Sequence, residues 1–298
     1  MRIQTDRLTV EIAEPGKAPA DTFRFDRCGN VSDVVLDGRM HFLASEPNNL
    51  SHPSSGGRGL ACEFGFDVSE DTPDGERYPK FGVGLILKEN GKKYRFTGKD
   101  FDIQFFPTSY ELNKDNVVFT TEPLACNGYA VRQTRVLKVE GTTLTTEATW
   151  ENVGEKEITT SEYCHNFISI DGMAVGSDYR LHIPALRDLG TERLRGRRGA
   201  YGSLRGDGKG LTFAEYSAIA SDTQFLAEDF EEQLVPFPWE LKHLGAKACV
   251  QGRLSFMPEK IVVWTVDHMV CPEIFHVFTV KPGESYTWCR SWTFNKEI

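Results

Sequence analysis

The stretch YAVRQTRVLKVEGTTLTTEATWENVGEKEITTSEYCHNFISI, residues 129–170, decides the fold of this chain. Apolar or β-branched residues alternate with polar ones on either side of Gly141, and again after a second turn at 152–154. Alternation with a period of two, interrupted by Gly and Asn, is typical of antiparallel strands joined by short turns. The stretch therefore predicts three consecutive strands, the last of which runs into His165.

The same alternation covers most of the remaining chain. It recurs in residues 7–14, 22–38, 91–124, 247–256, 260–268 and 274–294, again in short runs bounded by Gly, Asn, Asp or Pro. In the last of these, Pro282-Gly283 predicts a tight turn between two strands. Many strands of similar length in meandering order favour two packed antiparallel sheets.

Helical signal is weak, and no boundary divides the chain. The one amphipathic candidate for a helix is the segment 221–234. There is no change in composition and no repeat of fixed period. The prediction is an all-β protein, with residues 1–298 forming a single large antiparallel β-sandwich domain.

Composition narrows the classes of partner. The chain has 298 residues, 40% of them hydrophobic, and a formal net charge of −9. Nucleic acids and anionic membrane surfaces bind basic faces, so this charge argues against both and fits a small-molecule ligand. The N-terminus has no apolar targeting segment, and we expect a cytoplasmic protein. The seven cysteines are widely spaced without a CxxC motif, which predicts reduced thiols.

His165 is the first candidate for a catalytic residue. By the period of two, Tyr163 and Phe167 share its face of the strand, while Cys164 and Asn166 point to the other face. Aromatic rings beside an imidazole suit a sugar site, because a ring can cover the apolar face of a pyranose. Histidine is also the side chain that most readily exchanges a proton near neutral pH. The alternative is a structural histidine in the core.

Glu273 is the second candidate, because it lies in an apolar run directly after Pro272. Apolar surroundings disfavour the charged carboxylate and raise its pKa toward the range of a general base. The alternative is an ordinary salt bridge, for which Arg290 is the nearby candidate. The residues alone leave both interpretations open.

Three further residues are candidates for substrate binding. Arg58 stands between glycines, which lets the backbone aim its guanidinium at hydroxyl or carboxylate oxygens; the alternative is an ion pair with Glu63. Trp239 could stack on a sugar or belong to the core. His268 lies close to Glu273 in the sequence and is the third candidate for substrate binding.

No metal site is predicted. The histidines form neither an HxH nor an HExxH motif. Asp267, His268, Glu273 and His276 are close in sequence, but strand alternation places several of them on opposite faces.

Several stretches resemble the galactose mutarotase-like proteins of the aldose 1-epimerase superfamily. GGRGLACEFGF at 56–66 is similar to the N-terminal part of an epimerase-like branch. Residues 147–172 resemble the strand pair that ends in the family's catalytic histidine, and 271–294 resemble the last strand pair, which carries its glutamate. Here the histidine lies in Cys-His-Asn-Phe, whereas better-known members have Asn-His-aromatic, and only His52 lies near the position of their earlier histidine.

The resemblance implies a β-supersandwich with a sugar cleft. It implies that His165 is the general acid, Glu273 the general base and Arg58 a substrate-gripping residue. The expected activity is interconversion of sugar anomers without a cofactor, in a monomer or homodimer that binds a small sugar or sugar derivative. Two alternatives remain open on the same fold: a non-catalytic sugar sensor, and a hydrolase or lyase that acts on glycans.

Overall fold

The computed structural model describes residues 1–15, 23–47, 55–96, 98, 100–186, 203–204, 210–213, 223–227, 230 and 234–296. Within these ranges the regular structure is twenty-two β-strands and one short 3₁₀ helix at Ile170–Gly172. All strand pairings in this part of the chain are antiparallel. The described residues contain no helix with the length and hydrophobicity of a membrane span.

Two large sheets and one small sheet contain these strands. The first large sheet holds nine described strands: β1 (Arg2–Gln4), β2 (Leu8–Ile12), β3 (Val31–Leu36), β4 (Met40–His41), β5 (Leu60–Phe64), β13 (Ile158–Asn166), β17 (Thr223–Ala227), β20 (Lys260–Val266) and β21 (Met269–Val280). Its order is β1-β2-β3-β5-β13-β21-β20-β17, with β4 beside β3.

The second large sheet holds ten described strands: β9 (Thr108–Leu112), β10 (Asn116–Thr121), β11 (Val131–Glu140), β12 (Thr143–Asn152), β14 (Tyr179–His182), β15 (Ser203–Leu204), β16 (Gly210–Thr212), β18 (Phe237–His243), β19 (Ala248–Leu254) and β22 (Ser285–Lys296). Its order is β15-β16-β14-β18-β19-β22-β12-β11-β10-β9. The small sheet consists of β6 (Arg77–Lys80), β7 (Gly84–Leu87) and β8 (Ile103–Phe105).

The two large sheets pack face to face around one apolar core. Phe64 of the nine-stranded sheet lies 4.4 Å from Trp150 of the ten-stranded sheet, measured between ring centroids. Trp150 also meets Phe278 at 5.4 Å, and Phe42 meets Phe294 at 5.0 Å. These contacts join the inner faces of both sheets and confirm the predicted large antiparallel β-sandwich. The single-domain prediction for 1–298 includes segments outside the described residues and stays a prediction.

The three strands predicted from residues 129–170 are present, but they do not form one meander. Strands β11 and β12 pair in the ten-stranded sheet, whereas β13 belongs to the nine-stranded sheet. The turn at 152–154 therefore passes from one sheet to the other. The Pro282-Gly283 turn does the same, because it joins β21 to β22. Alternation in the sequence indicates that a strand has one polar and one apolar face. It does not indicate to which of the two sheets the strand belongs.

The buried Asn152 ties these two crossovers together. Its side-chain amide donates to the carbonyls of Lys156 and Val280, each at 2.8 Å. The backbone carbonyl of Asn152 accepts a hydrogen bond from the backbone amide of Gly283. The backbone amide of Asn152 donates to the backbone carbonyl of Glu284. The crossover that brings β13 into the nine-stranded sheet is thus fixed to the crossover that follows β21.

The predicted helix at 221–234 is wrong over Thr223–Ala227, which forms strand β17 and pairs with β20. Pairing with a neighbouring strand outweighs the weak helical periodicity of this segment. Positions 228–229 and 231–233 lie outside the described residues. The loop around His52 and most of the basic segment 193–210 also lie outside them.

Candidate active site

Strand β13 presents different chemistry on its two faces. Glu162, Cys164 and Asn166 point between the sheets. There the side-chain Oδ1 of Asn166 accepts a 2.9 Å hydrogen bond from the indole Nε1 of Trp292 in the ten-stranded sheet. His165 and Tyr163 point the other way. We call the side turned away from the ten-stranded sheet the outer face, and the opposite side the inner face. The alternation predicted for His165 is therefore present, and His165 lies on the outer face.

Glu273 lies directly across from His165 on the neighbouring strand. The register of β13 and β21 pairs Cys164 with Ile274, so the next residues along, 165 and 273, also face each other. The imidazole Nε2 of His165 is 3.2 Å from a carboxyl oxygen of Glu273. We call these two residues the outer pair. They are too close to hold a sugar ring between them, but they can both reach two oxygens bonded to one carbon.

Aromatic rings enclose the imidazole of His165. Phe167 stacks on it with a centroid distance of 3.7 Å and an interplanar angle of 3°. Phe25 and Trp264 meet it edge-on at 6.1 Å and 5.6 Å, and Tyr163 lies at 6.3 Å. Only 3% of the surface of His165 and 7% of that of Glu273 is exposed. The outer pair is therefore buried in largely apolar surroundings.

Burial moves the two pKa values of the outer pair in opposite directions. It raises the pKa of Glu273 to about 8, because the carboxylate loses its hydration. It lowers the pKa of His165 well below the ordinary range, and the positive charge of Arg24 lowers it further. At neutral pH the pair thus holds one proton, carried by Glu273, and both groups are uncharged. The Nδ1 of His165 has no hydrogen-bond partner among the described residues.

Arg24 is a component of the site that the sequence analysis missed. Its Nε donates to Glu63 at 2.8 Å, and its two terminal nitrogens donate to the hydroxyls of Ser55 at 2.8 Å and Tyr163 at 2.7 Å. Lys80 reaches the other oxygen of Glu63 at 3.3 Å. Arg24 lies in a plain alternating run with no motif spacing, so only the fold reveals this network.

Arg58 and His268 lie at the edge of the same region. The amide of Phe167 donates to the carbonyl of Gly59, and its carbonyl accepts from the amide of Ala44. Arg58, one residue before Gly59, is exposed and forms a β-bridge with Ser45. The ring of His268 lies 3.2 Å from the Ser45 carbonyl. Both candidates are therefore near Phe167, and their role in substrate binding stays a prediction.

Two ion pairs considered in the sequence analysis do not form. Glu63, suggested as a partner for Arg58, bonds to Arg24 and Lys80 instead. Arg290, suggested as a partner for Glu273, binds Glu162 on the inner face. That salt-bridge alternative for Glu273 is wrong, because Glu273 and Arg290 are separated by the sheet itself.

The structure does not bring Trp239 to the outer pair. Trp239 lies on β18 of the ten-stranded sheet, is 2% exposed and belongs to the core between the sheets. Its indole covers Gly252 of β19, where a Cβ atom would come within 2.0 Å of the ring. The tryptophan that does lie beside His165 is Trp264 of β20.

A second histidine–glutamate pair lies on the same two strands. The Nδ1 of His276 is 3.3 Å from Glu162 across the β13–β21 pairing, and Arg290 also binds that carboxylate. We call His276 and Glu162 the inner pair. Burial alone would raise the pKa of Glu162, but Arg290 and His276 hold it far below the ordinary range. Glu162 is thus a permanent anion.

All seven cysteines are free thiols. In the part of the chain that the structure describes, no group of three or more His, Cys, Asp or Glu residues is arranged to hold a metal ion. The side chains of the outer pair can transfer protons between an imidazole, a carboxyl group and a bound ligand.

Comparison with known proteins gives a clear result only for structure. No protein-family profile matches the sequence, and no curated protein sequence matches it. A galactose mutarotase-like protein from Lactobacillus casei has a TM-score of 0.61 at 12% identity, covering 99% of this chain and 99% of that one. A galactose mutarotase related enzyme from Lactobacillus acidophilus has a TM-score of 0.61 at 12% identity, covering 99% and 97%.

An aldose epimerase homologue from C. elegans has a TM-score of 0.56 at 12% identity and covers 100% of this chain and 99% of its own. At such identities the likeness establishes the fold alone. The described part of this chain has the galactose mutarotase-like β-sandwich fold, as predicted.

Proposed function

We propose that this protein interconverts the anomers of an aldose or aldose derivative, as an aldose 1-epimerase-type isomerase of the cytoplasm. The observation that carries the proposal is the 3.2 Å contact between His165 and Glu273 on the outer face. A buried imidazole and a buried carboxyl that share one proton form an acid and a base within reach of one carbon centre. A binding protein has no need to bury such a pair at a site lined by aromatic rings.

The proposed mechanism begins with the proton on Glu273. Neutral His165 accepts the proton of the C1 hydroxyl while Glu273 donates its proton to the ring oxygen. The bond between C1 and the ring oxygen breaks, and a carbonyl forms at C1. Each proton transfer by a positioned group accelerates the reaction by about 10²–10⁴-fold.

Ring closure returns both protons. After rotation about the C1–C2 bond, Glu273 takes the proton from the former ring oxygen and His165 gives its proton to the carbonyl oxygen. The sequence suggested Glu273 as the base and His165 as the acid of ring opening. In the proposed scheme these two roles are exchanged, because burial leaves the proton on Glu273. Protons move and electrons do not, so the proposed reaction requires no cofactor.

The aromatic surroundings support a sugar as the small-molecule substrate. Rings at the outer face can cover the apolar side of a pyranose, while polar groups at the edge can meet its hydroxyls. Arg58 and His268 are the proposed edge residues. Trp264 replaces Trp239 as the proposed stacking residue, because of its position beside His165.

The proposal is tested by the rate of anomer exchange across a panel of aldoses, uronic acids and sugar phosphates. Polarimetry and saturation-transfer NMR measure this rate without a coupled enzyme. The wild type should accelerate exchange of at least one sugar. Glu273→Gln keeps the shape of the side chain and should lower that rate by about 10²-fold or more, with sugar binding little changed. A wild type that binds a sugar without changing its exchange rate would instead identify a sensor.

A further inference from the structure

Arg24 is held more firmly than a side chain that grips a substrate. All three guanidinium nitrogens donate to protein oxygens, on Glu63, Ser55 and Tyr163. The rings of Phe25 and Phe96 each lie 4.7 Å from its central carbon. Only 14% of the side chain is exposed. The guanidinium is therefore a fixed positive charge, with each of its three nitrogens already in a hydrogen bond to the protein.

This fixed charge is linked to His165 from two sides. Tyr163, which accepts from Arg24, is on the same face of β13 as His165. Phe25, the residue after Arg24, meets the imidazole edge-on at 6.1 Å. Phe25, one of the rings that enclose the imidazole, thus also packs against the guanidinium. In this low-dielectric setting a positive charge acts on titrating neighbours far more strongly than it would in water.

We propose that Arg24 is a positioning residue that sets the pH range in which the outer pair holds its single proton. The inference rests on the proposed function, in which that one-proton state is the active one. Arg24 does not touch the reacting atoms in this scheme. It acts through its charge and through the network that fixes Tyr163 and Glu63.

The sign of the effect follows from charge. A cation next to the pair disfavours a second proton on His165 and favours loss of the proton from Glu273, so it lowers both macroscopic pKa values of the pair. The negative charge of Glu63 acts on Glu273 in the opposite direction. Other charged or titratable groups on the elements around the pair are Glu46, Lys80, Tyr163, Lys260 and Cys271.

The variants follow from these signs. Arg24→Met removes the charge and should move both limbs of the pH–rate profile to higher pH by about one unit or more. Glu63→Gln removes the opposing charge and should move the upper limb to lower pH. Arg24→Lys keeps the charge but loses the triple contact, so it should keep the profile with a lower rate.

Arg27→Met is the matched control. Arg27 lies in the same segment and also covers an aromatic ring, with its guanidinium 3.5 Å from the centroid of Phe105. It makes no contact with the outer pair. Its removal should leave the pH–rate profile of the wild type unchanged, with circular dichroism confirming the fold of every variant.

A readout without catalysis separates this proposal from the proposed function. The titration of His165 is followed by NMR of protein labelled in histidine, with the signal assigned by its loss in His165→Asn. Its midpoint should rise in Arg24→Met and stay in place in Arg27→Met. If it rises but the wild type exchanges no anomers, the effect of Arg24 stands and the proposed function fails.

An unchanged His165 titration in folded Arg24→Met would overturn the proposal. Should Arg24→Met fail to fold, the opposite behaviour of Glu63→Gln and the retained profile of Arg24→Lys carry the test. A shift of the upper limb of the pH–rate profile in the same direction for Arg24→Met and Glu63→Gln would also overturn it. Removing charges of opposite sign should move this limb in opposite directions, whereas a purely structural disturbance does not depend on the sign of the charge removed.

Discussion

The outer and inner pairs each consist of one histidine and one glutamate, and both pairs lie on the same two strands. Strand β13 contains Glu162 and His165, and strand β21 contains Glu273 and His276. A spacing of three residues puts the glutamate and the histidine of each strand on opposite faces. Antiparallel pairing then sets each histidine opposite the other strand's glutamate. The contacts are nearly equal, at 3.2 Å and 3.3 Å.

One arginine separates the chemistry of these pairs. Arg290 binds Glu162 from the ten-stranded sheet and holds its pKa low, so the inner pair is permanently charged. Among the described residues no arginine or lysine forms an ion pair with Glu273, and burial raises its pKa to about 8. The contact between histidine and glutamate therefore does not by itself make a reactive site. What matters is whether a cation fixes the carboxylate.

The largest effect should come from removing that cation. Arg290→Met leaves Glu162 buried and charged without its guanidinium, which should lower the free energy of unfolding by about 3–5 kcal/mol. Glu273→Gln replaces a protonated carboxyl by an amide of similar shape and should change it far less at neutral pH. Urea unfolding of both variants measures the difference. Equal losses in the two variants would mean that the pairs are not different in kind.

The second prediction compares the two histidines. His165→Asn removes one member of the outer pair and should lower anomer exchange by about 10²-fold or more. His276→Asn alters the inner pair on the same strands and should keep the rate per folded molecule, although it destabilises the core. Active-site titration by a bound sugar supplies the folded fraction. A similar loss of rate in folded His276→Asn would show that the chemistry is not confined to the outer face.

The third prediction concerns pH and stability. The folded pKa of Glu273 is raised from 4.5 to about 8, so folding favours its protonated form. That contribution is complete below about pH 4.5 and is lost as pH rises toward 8. Glu273→Gln has no such proton to lose, and it should become steadily more stable relative to the wild type over this interval. Urea midpoints at matched pH values measure the trend.

The inner pair should show the opposite trend. The folded pKa of Glu162 is lowered, so its contribution is present above the ordinary glutamate pKa and is lost in acid. Glu162→Gln should therefore differ most from the wild type at neutral pH, and the difference should shrink as pH falls. Parallel pH trends for Glu162→Gln and Glu273→Gln would contradict the contrast between the pairs.

The smallest effect is expected from two tryptophans. Trp264→Phe alters the ring beside His165 and should weaken sugar binding several-fold. Trp239→Phe alters the core between the sheets and should leave binding unchanged, although it loses packing. Calorimetric or NMR titration with the best sugar from the panel makes the comparison. Weaker binding only in Trp239→Phe would restore the placement of the ligand suggested by the sequence.

The sequence was informative where a residue depends on its own strand. Alternation around His165 indicated which neighbours share its face, and the apolar run around Glu273 indicated a raised pKa. Both are local properties, because a few consecutive residues determine which face of a strand a side chain occupies and how polar its neighbours in the chain are. The antiparallel β fold could be predicted for the same reason.

The sequence could not indicate what depends on the other sheet or on distant loops. It suggested Arg290 for Glu273, although their strands place them on opposite sides of the sheet. It gave no signal for Arg24, which reaches the site only because its segment packs over β5 and β13. The turns at 152–154 and at Pro282-Gly283 looked like ordinary hairpin turns in the sequence, although both connect the two sheets. A turn motif does not specify the sheet of the next strand.

The order β5-β13-β21 at the centre of the nine-stranded sheet has a consequence for folding kinetics. Arg24, Glu63, His165 and Glu273 come from segments spread along nearly the whole chain, and their contacts close long loops of sequence. Such non-local pairing is slow, because chain entropy is lost before the contacts form. The proton-sharing pair therefore exists only after the last long strands have docked. Recovery of activity on refolding would then report the final step of folding, later than the recovery of β-sheet signal.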